Sequence, residues 1–170
     1  MKIMSSTILL LAFAVNAYAD KVEEAKDLGS NILAALEKKS EAEFTKQWAS
    51  MSRMKDHFKS YPNEMQKGLI PSYQEILDQR KIFFEAISKS LEKQKIQIAD
   101  CKFDFVDAEL TVSDNITGEK TLSKIKIVFI YKEKKYQIFV DAAVKTKGEW
   151  QFSGAVNDEV QEYQEPEEKP

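Results

Sequence analysis

The chain has 170 residues, 43% of them hydrophobic, and a formal net charge of −3 from 25 basic and 28 acidic side chains. A mildly acidic balance excludes the net basic field expected of a nucleic-acid binder. A lone cysteine excludes an intramolecular disulfide, and the length and hydrophobic fraction suffice for one sizeable core.

Residues 1–19 have the layout of a signal peptide. Lys2 supplies the positive start, Ile8–Val15 the apolar stretch, and Ala17-Tyr18-Ala19 a small-x-small cleavage site before Asp20. The apolar stretch is too short to span a bilayer, and no later segment is long enough, so no membrane span is expected after cleavage. A periplasmic or secreted location is the corresponding expectation.

Residues 20–156 read as a single domain. Val22, Ala25, Gly29, Ile32 and Leu36 have helical spacing over 20–39. Ser40-Glu41-Ala42-Glu43 is a capping box, in which hydroxyl and carboxylate each satisfy a backbone donor. It predicts a second helix running to Phe58, with Phe44, Trp48, Met51 and Met54 inward. Tyr61-Pro62-Asn63, Gly68 and Pro71 punctuate 59–71 as a loop or a segment with a short helical turn, and Ser72-Tyr73-Gln74-Glu75 opens a long helix over 73–93.

At Ile96 the period changes to alternation. Cys101, Phe103 and Phe105 share one phase of a strand over 98–112, and Val106, Ala108, Leu110 and Val112 the other, so a β-bulge is expected near 105–107. Three strands follow at 122–132, 135–145 and 149–156. The first of these is apolar on both faces and needs covering on both sides. Residues 157–170 are acidic and proline-bearing, and are expected to form a disordered tail.

Helices followed by a curved antiparallel sheet define an α+β class. Ile125–Tyr131, Lys135–Val144 and Gly148-Glu149-Trp150-Gln151-Phe152 carry a resemblance to the NTF2-like (cystatin-like α+β) superfamily, in particular to small exported bacterial domains. The resemblance covers about 20–156. It implies a cone, a strongly curved sheet wrapped on helices, often with a pocket at the open end. Members include isomerases and dehydratases as well as non-catalytic binding and dimerisation modules, so fold alone does not choose among them.

No acid/base constellation of that family is matched. The expected function is therefore a non-enzymatic exported domain binding a small apolar ligand or a protein partner of the cell envelope, with a homodimer through the sheet as one arrangement. Trp48, Tyr73, Phe84 and Trp150 are the candidate ligand-binding aromatics, and plain core is their alternative reading. The rival is a cone-pocket enzyme using Asp141, with His57 or Tyr61 nearby. Asp141 acts as a general base only if its strand face lines a pocket that raises its pKa. His57, the one histidine, otherwise reads as a solvent-facing residue at a helix end. Metal-ligand spacings, phosphate loops and nucleophile elbows are absent, so neither a metal nor a cofactor is expected. Cys101 reads as a buried, inert thiol.

Overall fold

A computed structural model describes residues 25–59, 61–112 and 120–164. The expected signal peptide, the first residues of the helix expected over 20–39, the expected connector around Asp114–Gly118 and residues 165–170 lie outside the described residues.

Among the described residues four α-helices precede an antiparallel sheet, giving the α+β class expected. Helix α1 spans 25–37, α2 Glu41–Thr45, α3 Met51–Phe58 and α4 Asn63–Lys93. A 3₁₀ turn at Ile98–Asp100 leads into β1 (Lys102–Val112), β2 (Lys120–Tyr131), β3 (Lys134–Thr146), β4 (Glu149–Phe152) and the short β5 (Gln161–Glu162). The sheet order is β1-β2-β3-β4, with β5 on β3. Both hairpins after β2 use two-residue turns with left-handed backbone, Lys132 and Glu133 at φ 48° and 67°, Lys147 and Gly148 at 52° and 85°. That conformation matches the twist of the flanking strands.

Helix α1 presents Ala25, Leu28, Ile32 and Leu36 to the sheet. It comes so close that a Cβ on Gly29 would sit 2.7 Å from Phe103 and 2.8 Å from Val106. The Ser40 cap is present, its hydroxyl accepting from the Glu43 N–H. The helix after it is not continuous to Phe58, as expected from sequence, but stops at Thr45. Residues Gln47–Ala49 lie along the free edge of β4, where Phe152 N–H donates to Gln47 O and Ala49 N–H to Phe152 O. Edge pairing outcompetes the helical period here, and Ser50 recaps the chain into α3 through the Arg53 N–H.

Over 59–71, where a loop or a short helical turn is expected, the chain is helical from Asn63 and continuous with the long helix. Pro71 removes one intrahelical hydrogen bond, but it is exposed, as is Lys67, whose carbonyl it frees, so water can replace the donor. Leu69 and Ile70 anchor this extra stretch on a second cluster formed by Ala49, Met54, Phe58, Tyr73 and Val144.

The break of alternation in β1 is real and lies beside the place expected. The register slips between Phe103 and Phe105 and again between Asp107 and Glu109. The first slip inserts Asp104 and separates two phenylalanines that simple alternation puts on one face. Phe103 faces α1, whereas Phe105 meets Tyr163. The second slip faces Lys124 of β2, which has φ 51°.

The tail differs most from expectation. Residues 157–164 follow β3 rather than leave it: Asn157 N–H donates to Phe139 O, Gln161 and Glu162 pair with Gln137 and Tyr136, and Tyr163 N–H donates to Lys135 O. Between these, Val160 dips into the main core, its N–H donating to Ser90 Oγ and its carbonyl accepting from Gln94 Nε2. An average over an acidic segment hides two apolar anchors, Val160 and Tyr163.

Candidate functional site

Two helix ends and one turn build the most apolar cleft. Helix α1 stops because Lys39 turns left-handed (φ 50°) and the Ser40 N–H reaches back to Ala35 O at 2.9 Å. Helix α4 stops the same way, with Lys95 at φ 57° and the Ile96 N–H on Leu91 O at 2.9 Å. This is the left-handed C-terminal cap that usually calls for glycine, built here on lysine. The two caps bring the last turns together, and the 3₁₀ turn drops Ile96 and Ile98 between them.

The result is a cleft of about 460 Å³. Leu36, Leu91 and Ile96 are buried at its floor, and Phe84 and Ile98 stand half-buried at its walls. Glu37, Lys39, Glu92 and Gln97 form its exposed mouth. Ser88, also on the wall, donates its hydroxyl to Phe84 O within its own helix. An apolar floor with a few polar groups at the rim, at this volume, is the build of a small-molecule site.

Of the four aromatics singled out from sequence, only Phe84 lines this cleft. Trp48 is 3% exposed, packs between Phe44 and Phe152, and donates its indole N–H to Gly154 O. Tyr73 is 2% exposed and donates its hydroxyl to Ala49 O; burial pushes its pKa well above the usual phenol range. Trp150 borders a different and more polar depression of about 380 Å³, shared with Asp27, Asn31 and Gln47.

Asp141 is exposed, on the face of β3 away from α1 and α4. The condition under which Asp141 would act as a general base is not met, because that stretch of strand turns Ile138 and Val140 inward and leaves Asp141 to solvent. His57 corrects the other way. It is buried at 7% exposure rather than solvent-facing, with its ring 5.6 Å from those of both Phe58 and Tyr61. His57 and Tyr61 thus meet, in an aromatic cluster, and neither they nor Asp141 line the cleft. Cys101 is half-buried beside Phe103; burial, then the neighbouring Asp100 charge, pushes its thiol up to about 11. Among the described residues no group of three or more acidic, histidine or cysteine side chains could hold a metal ion, and no helix is long and apolar enough to cross a membrane.

Leu36, Leu91, Ile96 and Ile98 were not separable from core residues in sequence. What makes them a cleft is a pair of left-handed lysines that no glycine announces. No protein-family model, curated protein or solved structure matches this chain.

Proposed function

We propose that the protein is an exported, NTF2-like binding domain whose cleft between the ends of α1 and α4 holds a small apolar ligand. The observation that carries this reading is the cleft itself, about 460 Å³ over Leu36, Leu91 and Ile96. A concave apolar surface of that size costs free energy while it faces water, and a ligand that covers it recovers roughly 25 cal/mol per Å² of apolar area. The leader-like residues 1–19 support an extracytoplasmic setting for that ligand. Binding is favoured over catalysis because Asp141 is solvent-exposed and His57 and Tyr61 pack into one another's cluster, so the candidate acid/base groups line no common cleft with the apolar floor.

The test uses the fluorescent probe N-phenyl-1-naphthylamine, which brightens in apolar surroundings. The protein should bind it saturably at one site. Ser88→Trp places an indole in the cleft from a half-buried position on the wall formed by α4 and should abolish the signal while leaving the circular dichroism unchanged. A signal that survives Ser88→Trp would put the probe elsewhere and end the proposal.

A further inference from the structure

We infer that the occupant of this cleft is an amphiphilic cation, an apolar tail carrying an ammonium-type head, an inference that rests on reading the cleft as a ligand site. The floor supplies no polar group, so discrimination must come from the mouth. Its charged side chains are Glu37, Glu92 and Lys39. Neither carboxylate enters an ion pair among the described residues. Lysines 38, 89, 93 and 95 belong to the same helix ends but do not line the cleft.

Backbone electrostatics point the same way. The cleft is lined by residues 36, 37 and 39 of one helix end and 91 and 92 of the other, so the carbonyl ends of two helices meet at its mouth. The C-terminal end of a helix carries a partial negative charge that attracts cations. Phe84 on the wall adds an aromatic surface on which a weakly hydrated ammonium can rest. An anionic amphiphile such as a fatty acid would have to seat its carboxylate among two carboxylates and two carbonyl ends, with Lys39 alone among the lining side chains to offset them.

The experiment compares decyltrimethylammonium, decanol and decanoate as competitors of N-phenyl-1-naphthylamine on the full protein, all below micelle-forming concentrations. The expected order is ammonium, then alcohol, then carboxylate, with the ammonium about tenfold tighter than decanoate at low ionic strength. Combining Glu37→Gln and Glu92→Gln, both isosteric changes at exposed positions, should narrow that gap to about twofold. Decanoate binding as tightly as the ammonium would overturn the inference while leaving an apolar site in place. So would a preference that persists in the double variant, because the discriminating charge would then lie elsewhere. If the probe binds the protein but none of the three displaces it, the apolar-site reading itself fails, and this inference with it.

Discussion

The two faces of the sheet are buried by different means. On the inner face Ile125, Ile127, Phe129, Ile138 and Val140 meet α1 and α4, and none is more than 1% exposed. On the outer face Val128 is equally buried, although it belongs to neither of the two clusters that the described helices pack against. Its cross-strand neighbours are Phe105 on one side and Gln137 on the other. Tyr163, held by its N–H on Lys135 O at the far side of β3, reaches back to put its ring 5.5 Å from Phe105 and beneath Lys126 Nζ. Lys126 pairs with Asp107, and Lys135 with Asp104, across the same surface. One face is covered by regular elements, the other by the Phe105–Tyr163 pair and the stems of lysines, which bury carbon while keeping charge in water. The covering partner that a two-sided strand demands comes here from the same chain, and this removes the motive for a homodimer through the sheet.

That difference predicts an order of costs. Phe129→Ala opens a cavity in the helix-covered core, where neighbours cannot collapse, and should cost about 3–5 kcal/mol in urea unfolding. Gly154→Ala comes next. Its new methyl would sit 2.5 Å from the backbone nitrogen of Ala142 and 2.8 Å from Asp141 Cβ. Backbone cannot swing aside, so the chain must part where it leaves β4 to cover the edge of β3, at about 1–3 kcal/mol. Gly29→Ala is the comparison, since its methyl would meet side-chain atoms of Phe103 and Val106 rather than backbone. If Gly29→Ala proves the more harmful of the two, α1 rather than the C-terminal segment is the tighter joint.

The outer face should respond more weakly. Tyr163→Ala is expected to cost about 1 kcal/mol, with a Phe105–Tyr163 coupling of roughly 0.5–1.5 kcal/mol in a double-mutant cycle with Phe105→Leu. A loss equal to that of Phe129→Ala would erase the distinction between the faces. A loss near zero would show that Val128 is sheltered by the lysine stems alone.

How much of this could be read beforehand follows from the range of the forces involved. Strands β2 and β3 were legible because alternation is local: boundaries expected at 122–132 and 135–145 lie within two residues of Lys120–Tyr131 and Lys134–Thr146. The Ser40 cap was legible for the same reason. Pro71 and Gly68 misled because breakers signal a cost and not a prohibition, and Leu69 and Ile70 offset that cost only through residues distant in sequence. Trp48 sits at helical spacing from Phe44, yet its backbone pairs with Phe152. The cleft was the least legible feature, because Lys39 and Lys95 end their helices without the glycine that usually marks the turn. Phe84 was found through its residue type; the floor beneath it was not.

Cys101 gives the smallest effect, and it tests the inner edge of β1. Its thiol sits half-buried, and burial with the Asp100 charge raises its pKa from 9.0 to about 11. At pH 8 the thiolate fraction is then on the order of one in a thousand in the folded protein and about one in ten in the unfolded chain. Iodoacetamide should therefore label Cys101 roughly a hundredfold more slowly in buffer than in urea, with mass spectrometry counting the adduct. The sign for stability follows from proton number. Between pH 9 and 11 the unfolded chain has lost a proton that the folded chain keeps, so stability falls as pH rises through that window and is unaffected below it. Tyr73, whose pKa is also raised by burial, acts in the same direction at higher pH. Equal labelling rates in buffer and urea at pH 8 would mean that the start of β1 is open for most of the time in the folded protein. The bulge at Asp104, which turns Phe103 inward and Phe105 outward, would then be a hinge rather than a fixed bend.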